Sequence, residues 1–135
     1  MVRLHEKTIN GLLKLGASTL YLFGSRAEGV ARRESDFDFG ILLKQPSVIK
    51  NGSQKLYQEF YDLLQDLVPQ KVNLDIVFLD RAPLQLRFHV IGHGQVLFDS
   101  DPLRRGYFEE RTLSEHADFE PYRRLFEEAT LARIS

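Results

Sequence analysis

The sequence predicts one α/β (α+β) domain, a small mixed β-sheet with helices packed on one face. Three observations predict it. Apolar runs of strand length occur at Ser18–Phe23, Asp36–Leu43 and Val72–Leu79. Segments with leucine and phenylalanine at helical spacing separate and flank those runs. The chain has 135 residues, the size of a single domain with a real core.

Leu4, Thr8, Leu12 and Leu15, widened by Ile9 and Leu13, give a first helix over 4–15 that Gly16 stops. Ser18 to Phe23 is nearly continuous in apolar character, which suits a strand buried on both faces. Gly24 ends it, and Ser25 is placed to cap a short helix whose free amides point above the turn. Residues 28–35 are polar and irregular. From Asp36 to Leu43 the parity is clear: Asp36, Asp38 and Gly40 share one face, and Phe37, Phe39, Ile41 and Leu43 the other. A loop over 45–53 leads to a helix from Gln54 to Leu67, closed by Pro69. In the run 72–79, Val72, Leu74, Ile76 and Phe78 form an apolar face, with Asn73 and Asp75 opposite. Pro83 opens a helix over 84–91, and 95–98 reads as a short edge strand. The polar segment 104–116 reads as helical. After it, Phe119, Tyr122, Leu125, Phe126 and Ala129 form an aromatic stripe, with Pro121 in a first helical turn.

Hydrophobic content of 43%, charged content of 27% and a net charge of −1 describe an ordinary soluble protein. No global charge favours stable nucleic-acid or membrane binding. The absence of cysteine removes disulfides, zinc–thiolate sites and thiol catalysis, and accords with a reducing compartment. Met1 to Glu6 lacks the apolar core of a signal peptide, and no run is long enough to span a bilayer. These features set the expectation of a cytoplasmic protein.

Residues i and i+2 of a strand project from one face with Cα atoms roughly 6.5–7 Å apart. Asp36 and Asp38 can therefore converge on one hard cation or on a pair, and Asp75 matches them by parity. Three carboxylates repel unless cations neutralise them, and all-oxygen ligation favours magnesium or manganese. Gly24-Ser25, directly after a buried strand, offers close backbone approach and a hydroxyl to a phosphate. Phosphate on one side and divalent cations on the other describe a nucleoside triphosphate site.

Gly24-Ser25, ten intervening residues and Asp36-Phe37-Asp38 resemble the signature of the DNA polymerase β-like nucleotidyltransferase superfamily. Asp75 resembles its third acid. The fuller string from Phe23 to Gly29, with Ser35 to Asp38, resembles the minimal nucleotidyltransferase (MNT) antitoxins of HEPN/MNT toxin–antitoxin pairs. The resemblance implies a nucleotidyltransferase core over 1–100 and a helical tail over 101–135, packed on the core or on a partner. It implies that Asp36 and Asp38 bind two Mg2+ ions (or Mn2+), and that Asp75 ligates the catalytic metal and helps deprotonate the acceptor. Gly24 and Ser25 would hold the triphosphate of ATP, assisted by Arg26. The implied reaction is transfer of AMP to a tyrosine of a HEPN ribonuclease toxin, which silences it. Two alternatives stand beside this reading. One is a small-molecule nucleotidyltransferase of the antibiotic-modifying type, against which the lack of an acceptor domain counts. The other is a non-catalytic antitoxin that acts by binding alone, against which the intact acid set counts.

Blander readings accompany the other candidates. Arg26 reads equally as a phosphate ligand or as a salt bridge on the fold side. Ser25 with a histidine lacks the Gly-x-Ser-x-Gly elbow of a hydrolase. His89 and His93 have metal-pair spacing, but without the intervening glutamate of a metalloprotease they read as surface or packing residues. Asp80 also follows the third strand, with the opposite parity. The stripe from Phe119 to Phe126 reads equally as core or as a grip on a partner.

Overall fold

The computed structural model describes residues 4–134, without the side chains of residue 126 and of residues 130–134. Met1, Val2 and Arg3, part of the segment read above as lacking a signal peptide's apolar core, lie outside the described residues, as does the side chain of Phe126 in the aromatic stripe. The elements are α1 (Glu6–Lys14), β1 (Ala17–Phe23), α2 (Ser25–Glu28), β2 (Phe37–Leu43), α3 (Gln54–Leu64), β3 (Leu74–Phe78), α4 (Leu84–His93), β4 (Gln95–Asp99) and α5 (Pro102–Ile134). Short 3-10 turns lie at Pro46–Ile49, Gln65–Leu67 and Leu79–Arg81.

The four strands form one mixed sheet in the order β3-β2-β1-β4. β1 runs antiparallel to β2 and β4, and β2 runs parallel to β3. β1 has a neighbour on each side and cover on each face, so all seven of its residues are buried. That burial is why its sequence is apolar without alternation.

The main core lies between the sheet and helices α1 and α3. Leu20 and Leu22 of β1, Phe37, Phe39 and Ile41 of β2 and Ile76 of β3 meet Leu12, Phe60 and Leu64 there. The opposite face is not bare, in contrast to the one-sided packing expected from sequence. Tyr21, Phe23, Leu42 and Leu79 pack there against Val90 of α4, with Phe108 of α5 beside them. Its sheet residues belong to the apolar strands β1 and β2, but the α5 part of its cover comes from a segment too polar to show a clear apolar period.

The second difference concerns the C-terminal region. One continuous helix runs from Pro102 to Ile134, so Pro102 opens it and Pro121 lies inside. An interior proline costs about 3 kcal/mol relative to alanine through its missing amide and its ring. Here the turn around it carries ion pairs from Glu120 to Arg123 (3.0 Å) and Arg124 (3.5 Å). Phe119, Tyr122 and Leu125 are 45%, 71% and 64% exposed, so this part of the stripe is not core. The first half of α5 is anchored instead. Thr112 is fully buried, and Glu109 accepts a 2.8 Å hydrogen bond from the Tyr21 hydroxyl of β1. Burial, then that bond, drives the Tyr21 phenol well above its ordinary range. No helix among the described residues is long and apolar enough to cross a membrane.

Candidate active site

The site begins where β1 ends. Gly24 has φ 74° and ψ −161°, a region open essentially to glycine alone. A Cβ built on it would collide with Oδ2 of Asp38. The glycine therefore serves two needs, the turn and the carboxylate seated against it. Register explains the proximity, since Phe23 pairs with Asp38 across the β1–β2 ladder. The chain then turns into α2, with the amides of Ala27 and Glu28 donating to the Gly24 carbonyl at 3.1 and 3.2 Å. Ser25 was expected to cap this helix. It is instead the first helical residue, and Gly24 occupies the cap without a side-chain bond.

The three acids come from three places. Asp36 is exposed and immediately precedes β2, Asp38 is half-buried within it, and Asp75 is exposed on β3. Asp38 and Asp75 are direct partners in the parallel ladder, where neighbouring strands lie about 4.8 Å apart. Burial, then Asp75 and then Asp36, raises the Asp38 carboxyl above the ordinary carboxylate value. The acids are thus close enough to repel one another. Among the described residues none of them has a cationic side chain as ion-pair partner.

Three oxygen donors without an internal counter-charge, beside a turn that excludes even a methyl group, suit a hard divalent cation. Their side chains do not converge on one point: among the described residues no group of three or more His, Cys, Asp or Glu side chains forms a metal cluster. Asp75 is turned toward α3. Its Oδ1 accepts from the Tyr57 hydroxyl at 3.2 Å and from the Ile76 amide at 2.9 Å. Tyr57 was missed in the sequence, where it reads only as one more aromatic of an amphipathic helix. Burial, followed by Asp75, raises its phenol above the ordinary value.

Arg26 makes no salt bridge among the described residues and is turned onto the loop before β2. Its Nη2 donates to the carbonyls of Ser35 (2.8 Å) and Arg33 (3.0 Å), and its Nε also reaches Ser35 at 3.2 Å. The guanidinium lies over the Phe37 ring, 4.5 Å from its centroid. It fastens the polar loop that delivers Asp36. Asp80 is remote from the acids. It accepts from the Leu43 amide at 3.0 Å and pairs with Arg104 at 2.5 Å, holding the ends of β2, β3 and α5 together. His89 and His93 of α4 each approach one carboxylate oxygen of Glu28 at 3.8 Å.

The comparisons with known proteins agree with this geometry. The family model described as "Polymerase beta, Nucleotidyltransferase" matches residues 7–103. No curated protein sequence matches the chain. Among solved structures, a toxin–antitoxin crystal structure with AMP-PNP superposes with TM-score 0.66 at 22% identity, covering 90% of this chain and 97% of the other. The MntA-HepT toxin–antitoxin structure gives TM-score 0.60 at 20% identity, covering 94% and 99%. The complex of a tri-AMPylated Shewanella oneidensis HEPN toxin with an MNT antitoxin gives TM-score 0.61 at 20% identity, covering 92% and 96%. At these identities the likeness is one of fold. The match over residues 7–103, together with the glycine turn and acids described above, makes this chain a nucleotidyltransferase of the polymerase β family.

Proposed function

We propose that the chain is an antitoxin that transfers AMP from ATP to a tyrosine of a cognate HEPN ribonuclease toxin. The observation that carries the reading is the Asp38 carboxylate seated against Gly24, with Asp36 and Asp75 close enough to repel it. Support for the partner is fold-level: similar chains occur in toxin–antitoxin complexes, one with AMP-PNP and one with a tri-AMPylated toxin. The reading includes a cytoplasmic setting, where ATP and cellular RNA are found.

In this proposal Asp36, Asp38 and Asp75 would hold two Mg2+ ions, and Mn2+ would substitute. The bound cations would neutralise the triphosphate and lower the pKa of the attacking hydroxyl. Gly24 and Ser25 hold the triphosphate against the turn. Arg26 supports the nucleotide site indirectly, by ordering the loop before Asp36. Tyr57 positions Asp75, whose carboxylate takes the phenol proton of the acceptor. The phenolate oxygen bonds to the α-phosphorus of ATP, the bond from that phosphorus to the bridging oxygen breaks, and pyrophosphate leaves. A modified tyrosine gains bulk and negative charge, which obstructs RNA at a nearby cutting site. The core over 1–100 would carry the chemistry, and the tail over 101–135 would contribute partner contacts.

The test is labelling of the cognate toxin by radiolabelled ATP and Mg2+. The Asp36→Asn, Asp38→Asn double variant should still co-purify with the toxin yet leave it unlabelled and cells unprotected. Persistent labelling would overturn the assigned site. Protection by the double variant at normal expression would instead establish neutralisation by binding alone.

A further inference from the structure

At the far end of β3 from Asp75, roughly 10–15 Å along the strand direction, lies a concave site separate from the acids. It is a cavity of about 360 Å³ between the 3-10 turn Leu79–Arg81, Arg87 of α4 and the first half of α5. Four arginines line it, Arg81, Arg87, Arg104 and Arg111, against two carboxylates, Asp80 and Glu115. Four positive charges less two negative ones leave a net charge of +2.

The hydrogen bonds show where that excess resides. Asp80 is fully engaged by Arg104 and the Leu43 amide, and Arg104 also donates to the Leu43 carbonyl at 2.8 Å. Arg87 is committed to the Ala82 carbonyl (3.1 Å), the Thr112 hydroxyl (3.3 Å) and Glu115 (3.0 Å). Arg111 uses its Nε for Glu115 at 3.0 Å, and its side chain is otherwise 82% exposed. Arg81 has no ion-pair or hydrogen-bonding side-chain partner among the described residues. The hydrogen bonds from Arg87 and Arg111 hold the Glu115 carboxyl below the usual range. Arg81 and the terminal nitrogens of Arg111 are therefore the donors left for a ligand. The rest of the wall is apolar or aromatic, from Leu79, Ala82, Phe108 and the 65% exposed Tyr107.

We infer that this cavity is a binding site for a phosphate monoester, of the size and shape of a nucleoside monophosphate. A monoester carries close to two negative charges at neutral pH, which matches the net charge of +2 on the cavity lining. Guanidinium forks suit phosphate oxygens in a way that a lysine cluster does not. The volume falls at the low end of the roughly 300–1,000 Å³ typical of small-ligand pockets. Tyr107 and Phe108 offer flat and apolar surface for the remainder of the molecule. The inference does not rest on the proposed AMP transfer, because none of these residues belongs to the acid site.

Calorimetric titration of the full chain with AMP, in EDTA so that no metal assists the acid site, tests it. AMP should bind, inorganic phosphate should compete, and Arg81→Ala with Arg111→Ala should weaken AMP binding by about tenfold or more. Asp36→Asn with Asp38→Asn should leave it unchanged. Both arginines are exposed, so melting curves of the arginine variant should superpose on those of the parent. Three results would each overturn the site: no binding of AMP at millimolar concentration, binding indifferent to the arginine changes or to phosphate, or binding lost in the acid variant.

Discussion

Gly24 shows how much one residue settles. Its backbone occupies a region that costs other residues about 1–3 kcal/mol, and its missing Cβ makes room for Asp38. Gly24→Ala should lose about that much stability in urea unfolding and also lose nucleotidyl transfer. Asp38 carries the opposite cost. Its carboxyl is raised in the folded chain, so the native state binds a proton more readily than the unfolded one. Stability from this group is therefore lost as pH rises from the ordinary carboxylate value through the raised one. Asp38→Asn should melt higher than the parent at neutral pH in EDTA. The difference should vanish below the ordinary carboxylate range, where both side chains are neutral, and shrink when Mg2+ is added. Tyr57 acts on the acid set from the neighbouring helix. Tyr57→Phe should leave the melting temperature nearly unchanged while weakening Mn2+ binding or transfer by about 10–100-fold, the usual cost of losing a ligand's hydrogen-bonding partner. Equal Mn2+ titrations and equal rates would deny Tyr57 a positioning role. The acids were legible because alternation on a strand is a period of two. Tyr57 was not, because its bond spans 18 residues between a helix and an edge strand.

Among the elements, α5 has two characters. Its first half is tied to the sheet by Arg104 on Asp80 and the Leu43 carbonyl, by Arg105 on Asp99 at 2.6 Å, and by Glu109 under Tyr21. Arg104→Ala leaves a largely buried Asp80 without its charged partner. It should cost about 1.5–3 kcal/mol in urea unfolding, the range for hydrogen bonds to charged groups. The second half exposes Phe119, Tyr122 and Leu125. Sequence reasoning broke the helix at Pro121 because proline is commonest in a first turn. The continuity was illegible because flanking helix, not the proline itself, decides whether one missing amide ends an element.

For the whole molecule, the sheet order puts the acid site and the arginine pocket at opposite ends of β3, with the exposed half of α5 extending beyond the core. A chain ending at residue 118 should retain its fold, with a melting temperature close to the parent's. It should no longer co-elute with the cognate toxin, if the tail grips the partner as proposed. Co-elution of the shortened chain on size exclusion would place the partner surface elsewhere.

The sequence by itself determined the local grammar: which runs are strands, which face of each carries acids, and that a glycine turn precedes Asp36 and Asp38. Those features depend on backbone period and on the φ/ψ demands of single residues, which neighbours in the chain express directly. Only the tertiary structure decided that α4 and α5 cover the second face and that Tyr57 meets Asp75. It alone also turned Arg26 onto the 33–35 loop and gathered four arginines around one cavity. Each of these joins residues from different elements, and their proximity is set by strand order and helix packing rather than by spacing along the chain.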